Sequence, residues 1–258
     1  MNREFITFKQ LNCHKSLKAL QGLELSVRHD HNSILLLTEP NLTKNKLART
    51  ITGYKSLSKE ASRAAILIDG TLNAKIIDHL SNRDTVLCMV DTRTGPLLIA
   101  SIYCDININN FNNIQKVTQY AHQHNIRLII GTDSNAHSTL WGKRQNNRGD
   151  MLELCLAGND LEIQNVLGSI PTFIGNQGDG THIDLTLSYN IQDDLTRWRV
   201  TSFKDSDHNL IRFDYHHSPE KRKVRAWAHL VQLRTICALA YIPHGFKKAR
   251  WIFSVACT

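Results

Sequence analysis

Residues 127–138 read Arg-Leu-Ile-Ile-Gly-Thr-Asp-Ser-Asn-Ala-His-Ser, and this stretch decides the fold. Its first part, Arg127–Gly131, is short and apolar, the pattern of a buried strand. The apolar run then stops and delivers Asp133 and Asn135 into a turn. Layered α/β folds build their sites in this way, because loops at strand ends converge while the sheet beneath stays rigid.

The same pattern recurs along the chain. Phe5–Leu11 runs into Asn12, Ser33–Thr38 into Glu39, and Leu97–Ile102 into Tyr103, while Asp207-His208 directly precedes Leu210–Tyr215. Asp184 lies within His182–Leu187, where alternation turns it opposite to Ile183. Further strands are expected at Ala64–Ile68, Val86–Val90 and Arg199–Phe203. Helical spacing appears at Leu17, Leu20, Leu23 and Val27, and again at Ile114, Val117, Tyr120 and Ala121. A third helix is expected across Met151–Ala157, with Asp150 and Glu153 making its first turn acidic. Asn107–Asn113 and Gly175–Gly180 read as loops. Taken singly, each polar residue is an ordinary turn former. Six strands that all carry one are the argument for a site.

Composition bounds the rest. The 258 residues are 41% hydrophobic, which excludes a mostly disordered or collagen-like chain. The net charge of +8 points to a polyanion partner, but its distribution is uneven. Residues 1–217 hold 23 Lys+Arg against 22 Asp+Glu, a net of +1, whereas residues 218–258 hold eight basic residues and one acid, a net of +7. The composition changes at Ser218-Pro219, so the expected organisation is a catalytic domain over 1–217 and a basic linker or tail over 218–258. The six cysteines form no CxxC pair, which excludes a zinc knuckle and leaves buried free thiols as the expectation. No apolar run approaches the ~18–20 residues that span a bilayer, and the first residues lack a signal-peptide core. A reducing compartment, nuclear or cytoplasmic, is therefore expected, with no membrane partner.

Six motifs in order carry a resemblance: Gln10-Leu11-Asn12, Leu37-Thr38-Glu39-Pro40, Ser101-Ile102-Tyr103, Gly131-Thr132-Asp133-Ser134-Asn135-Ala136-His137-Ser138, Thr181-His182-Ile183-Asp184-Leu185 and Ser206-Asp207-His208. The set resembles the endonuclease/exonuclease/phosphatase superfamily, which includes apurinic endonucleases and neutral DNases. The stretch from Asp133 through Trp141-Gly142, with Pro171-Thr172-Phe173 downstream, is similar to the endonuclease domain of non-LTR retrotransposons. The resemblance covers roughly residues 5–215.

The resemblance implies an α/β four-layer sandwich, with two mixed β-sheets face to face and helices outside. It implies phosphodiester hydrolysis with one divalent ion, Mg2+ or Mn2+, and double-stranded DNA as substrate. Asn12 and Glu39 supply oxygen ligands of the kind a hard cation takes, with Asp207 toward the same side. Asp133 is placed to deprotonate or polarise the attacking water, with Asn135 steadying it or the phosphate. His208 would donate to the phosphoryl oxygen, kept cationic by Asp184, and Tyr103 offers a phenol to the scissile phosphate. Where apurinic endonucleases carry an Asp two positions after the first-motif Asn, this chain has His14, a departure shared by retrotransposon members. His137 and Ser138 accompany the Asp-Asn pair and are expected to be structural, and Trp141 to be a core anchor.

DNA contacts are expected from Lys143, Arg144, Arg148, Lys44, Lys46, Arg63 and Thr172. The reading that follows is a DNA endonuclease that leaves a 3′-hydroxyl primer for target-primed reverse transcription. A reverse transcriptase region or element RNA would be partners only in a full-length element. The competing readings are an apurinic-site repair nuclease, a phosphatase on the same scaffold, and a decayed DNA-binding remnant. Completeness of the residue set argues against the remnant.

Overall fold

The computed structural model describes residues 5–216, apart from 94, 109, 176, 177, 179, 192 and 193. All of these fall within the first of two units into which the chain divides, Met1–Arg225. The expected boundary at Ser218-Pro219 and the basic tail lie outside the described residues.

Fourteen strands are described, and twelve of them make two six-stranded mixed sheets. In the first sheet, β13 (Leu195–Thr201), β14 (Leu210–His216), β1 (Phe5–Asn12), β2 (Ser33–Thr38), β4 (Ala64–Asp69) and β3 (Tyr54–Ser58) lie side by side. In the second, the order is β5 (Ala74–Ile76), β6 (Thr85–Thr92), β7 (Gly95–Tyr103), β8 (Arg127–Asp133), β12 (Asp184–Tyr189) and β9 (Glu162–Ile163). A short hairpin, β10 (Phe173–Ile174) with β11 (Gly180–Thr181), stands apart.

Side-chain alternation builds the layers. One face of each sheet forms the central core, where Ile6, Phe8, Ile34, Leu36 and Ile66 meet Val86, Cys88, Leu97, Ile99 and Ile129. The opposite face of the first sheet, with Leu11, Leu35, Leu37 and Leu67, is covered by Leu20, Leu23 and Val27 of α1 (Leu17–Val27). The opposite face of the second, with Leu98, Ala100, Leu128 and Ile130, is covered by α2 (Asn112–His124) and α3 (Asn147–Ala157). Every residue of β2 is buried, which explains why it reads as one apolar run, Ile34–Leu37, with no alternation.

Each sheet contains one parallel pair, β1 with β2 and β7 with β8. Parallel strands end together. Asn12 is therefore in register with Thr38, just before Glu39, and Tyr103 is in register with Asp133. Antiparallel β12 then sets Asp184 opposite Asp133. A buried polar seam joins the sheets below this end: Gln10 donates to the carbonyls of Thr132 and Leu185, at 3.2 and 3.1 Å, and Ser101 donates to that of Leu37 at 2.7 Å. The strand ends that carry the polar residues are fastened to one another.

The expected strands and helices are present, with shifts that have local causes. α3 begins at Asn147, earlier than expected, because Asn146 caps it by accepting from the Gly149 amide at 2.7 Å. Asp150 stays in its first turn and Glu153 does not. Asn112 and Asn113 open α2 instead of closing a loop. β12 begins at Asp184, so this residue too stands at a strand end, not within the strand. Cys13, Cys88 and Cys104 are buried free thiols, and Cys155 is a half-buried one. Among the described residues, no helix is long and apolar enough to cross a membrane.

Candidate active site

The loops after β1, β2, β7 and β8 meet the start of β12 and the turn before β14. His208 Nδ1 lies 2.8 Å from Asp184 Oδ2, and both side chains are nearly inaccessible, at 5% and 3% exposure. Burial alone would lower the histidine, but the Asp184 carboxylate, with its hydrogen bond, carries it up to about 9. At neutral pH, His208 is thus an imidazolium whose ring is fixed by a carboxylate. The Phe173 ring covers it, with centroids 4.8 Å apart.

Asp133 faces the same pair from the end of β8. Burial and then the Asp184 charge push its carboxyl up to about 7, while His208 and hydrogen bonds from Asn12 and the Asn135 amide oppose the rise. Asn12 is the link across the two sheets. Its amide nitrogen donates to Asp133 Oδ2 at 2.8 Å and to Glu39 Oε2 at 3.2 Å. Its oxygen accepts from the His14 amide at 2.8 Å. In this geometry Asn12 bridges the two carboxylates as a donor, and its oxygen lies beside the Glu39 side of the site.

Two site residues hold unusual backbone angles. Glu39 has φ 43° and Asn135 φ 48°. Asparagine tolerates this region, whereas for glutamate it costs on the order of 1–3 kcal/mol and must be imposed by neighbours. The Glu39 amide donates to the Arg63 carbonyl at 2.8 Å, and its carbonyl accepts from the Lys15 amide at 2.7 Å. Asn135 spends its side-chain amide on the Cys104 carbonyl at 3.1 Å, so it secures the turn beside Asp133. Asp207 stands at the rim, 3.3 Å from His14 Nδ1, and Ser206 ties this turn to the Asn12 carbonyl at 2.8 Å. Burial, then Glu39 and Asp133, push the Tyr103 phenol up to about 12, so it remains a hydrogen-bond donor.

The donor set suits a hard divalent cation. Glu39, Asp133, Asp184 and Asp207 bring oxygens into one region, and the buried Asp184 Oδ1 has no hydrogen-bond partner. Asp133, Asp184 and His208 offer ligand atoms within 4.8 Å of one another. His208 Nδ1 is taken up by Asp184, so the carboxylates, with partly open Glu39 foremost, are the fitting ligands.

Two expected DNA contacts are corrected by burial, and a third, Arg63, is taken up by ion pairs. Arg148 is 8% exposed and donates to the carbonyls of Ser134, Ile108 and Cys104 at 3.1, 2.6 and 3.2 Å. It fastens the Asp133 turn from inside and cannot reach a phosphate. Thr172 is fully buried, and its hydroxyl accepts from the Ile183 and Asp184 amides, each at 3.1 Å. Arg63 is committed to Asp84 and Asp105, at 2.5 and 2.6 Å. Lys143 and Arg144 are exposed and, with His137 and His182, line a cleft of about 360 Å³ beside the hairpin. Lys44 and Lys46 are exposed as well. Trp141 is a core anchor, 1% exposed, donating to the Ala136 carbonyl at 3.2 Å. Sequence reading missed the roles of Phe173 and Ser206, although both sit inside motifs it had singled out.

Two sheets, four layers and this cluster define a recognisable arrangement. Residues 97–212 match the endonuclease–reverse transcriptase family model. Over 83% of this chain and 100% of the other, the fold is that of the endonuclease domain of TRAS1, a telomere-specific non-LTR retrotransposon, with TM-score 0.70 and 24% identity. It is also similar to the AP endonuclease LMAP from Leishmania major, with TM-score 0.65 and 10% identity over 83% and 88% of the two chains. In sequence, 95% of the chain is 22% identical to a 115 kDa protein of the type-1 retrotransposable element R1DM of Drosophila melanogaster. The chain spans about a quarter, 24%, of that relative's length. The resemblance read from the motifs therefore holds, as does the four-layer α/β fold.

Proposed function

We propose that this chain is a divalent-cation-dependent DNA endonuclease that hydrolyses one phosphodiester of a duplex to leave a 3′-hydroxyl. The observation that carries the reading is the Asp184–His208 pair at 2.8 Å facing a buried Asp133 whose carboxyl is pushed up to about 7. These are two titratable groups whose environments hold them in opposite roles near neutral pH, one as base and one as acid.

In this reading Asp133 accepts the proton of the attacking water, and Asn135 keeps its turn in place. As the water oxygen bonds to phosphorus, the P–O3′ bond breaks and the departing 3′-oxygen takes a proton from solvent. His208, held by Asp184, meanwhile donates a hydrogen bond to the phosphoryl oxygen as negative charge builds. Tyr103 donates its phenol to the same phosphate. Mg2+ or Mn2+, held by Glu39 with Asp207 on the near rim, supplies charge neutralisation at the phosphate when bound. Lys143 and Arg144 supply phosphate contacts. A 3′-hydroxyl would serve as primer for a reverse transcriptase region in a full-length element, and nuclear access to DNA would follow from that role.

The test is nicking of supercoiled plasmid with Mg2+, Mn2+ or chelator, comparing the parent with Asp133→Ala and His208→Ala. Cation-dependent nicking by the parent and its loss in both variants is the expected result. Equal nicking by all three proteins refutes the site. A duplex carrying one abasic site separates general nicking from apurinic specificity, and a parent that binds DNA without nicking it identifies a remnant.

A further inference from the structure

Arg63 stands where the two sheets meet at the site, and it touches a site residue from each. Its carbonyl accepts the amide of Glu39 at 2.8 Å, which helps hold that residue at its positive φ. Its guanidinium lies over the Tyr103 ring, 4.6 Å from the centroid. Among the described residues Arg63 is the one cation that stacks on the Tyr103 ring. The guanidinium plane is itself fixed. Asp84 takes it bidentately, at 2.5 and 2.7 Å, and Asp105 takes the remaining edge at 2.6 Å. A planar fork held on two sides presents its face, which is the surface that stacks on an aromatic ring. The Asp84 carbonyl also accepts the Tyr103 amide at 2.8 Å, so the carboxylate that fixes Arg63 belongs to the residue that fixes the tyrosine backbone.

We propose that Arg63 is a positioning residue, which sets the phenol of Tyr103 from its ring face. The proposal rests on the nuclease reading for its functional consequence, not for its geometry. A guanidinium with two carboxylate partners is a poor phosphate ligand, so Arg63 acts through Tyr103 and not on DNA.

A double-mutant cycle decides between these roles. Arg63→Met should lower the kcat of nicking by roughly tenfold, within the coupling expected of touching residues, and leave KM and its salt dependence unchanged. In a Tyr103→Phe background, which has no phenol oxygen to misplace, the same change should cost less than about twofold. Arg63→Lys keeps the charge but not the fork and should behave as Arg63→Met does, which guards against misfolding of either variant. Additive losses, or a raised KM with a shallower salt slope, overturn the proposal in favour of a direct phosphate contact. The NMR ring signals of Tyr103, assigned by their loss in Tyr103→Phe, provide an activity-free readout. They should shift in Arg63→Met, and unmoved signals overturn the positioning role. A parent that fails to nick refutes the nuclease reading alone, because the ring signals still decide whether Arg63 holds Tyr103.

Discussion

His208 and Asp184 form a buried ion pair at 2.8 Å, with Asp133 facing both. Activity in the proposed mechanism needs Asp133 ionised and His208 protonated. The rate should therefore rise through about pH 7 and fall through about pH 9. Removing the Asp184 charge lowers both groups. Asp184→Asn should move both limbs of the kcat profile to lower pH and reduce the maximum by about 10²–10⁴-fold. Limbs that stay in place in this variant would contradict the assignment.

The same shifts predict how stability depends on pH without a cation. The His208 pKa is raised on folding, so its contribution is complete below ~6.5 and is lost as pH rises through about 9. The Asp133 pKa is raised too, so its burial cost is complete above about 7 and relieved toward ~4. Both make the folded state less stable with rising pH. Tm measured with chelator should fall steadily between pH 5 and 9, and Asp133→Asn should raise Tm at pH 8 while abolishing nicking.

A divalent cation at the carboxylates should reverse part of that cost. At a hundredfold excess over Kd, one site stabilises by about 2.7 kcal/mol, visible as a rise in Tm. Glu39→Gln should remove most of the increment, and His208→Ala should keep it. Titration by thermal shift with Mg2+ and Mn2+ checks both.

Lys143 and Arg148 should separate cleanly, although both were read from sequence as DNA contacts. Lys143→Ala should weaken DNA binding and reduce the salt slope by about 0.9, as expected for one phosphate contact. Arg148→Ala should leave the salt slope alone and lower Tm, because the carbonyls of Ser134, Ile108 and Cys104 lose their donor. Fluorescence anisotropy at several salt concentrations, with a melting curve for each variant, distinguishes them.

Gly149 is required by closeness. A Cβ there would lie 1.8 Å from the His137 carbonyl oxygen, in the turn that follows Asp133 and Asn135. Gly149→Ala should cost roughly 1–3 kcal/mol and lower kcat by displacing that turn. Unchanged melting would show that the α3 N-terminus can move away freely.

The strand-end pattern made most of the fold legible. Apolar runs such as Ile34–Leu37 and Ile129–Ile130 have few alternatives to buried strands, whereas the start of α3 was not legible, because it is set by the Asn146 cap and not by an apolar pattern. The short edge strands Tyr54–Ser58 and Ala74–Ile76 were not legible, because they are only half-buried and carry little apolar signal.

What the sequence determined by itself was the strand ends and the candidate residues that sit on them, since local apolar patterning dictates where a strand stops. Only the tertiary structure decided their partners and roles. Asp184 meets His208 across 24 residues of chain, and Asn12 reaches Asp133 across 121, distances that no local signal spans. Burial separated Arg148 and Thr172 from Lys143, and two carboxylate partners separated Arg63, although arginine, threonine and lysine are all ordinary DNA contacts in a sequence. The same burial raised the Asp133 carboxyl, while the Asp184 carboxylate, against the burial, kept His208 cationic. Charge and hydrogen-bonding capacity belong to the residue, but whether water is there to compete for them is a property of the packed fold.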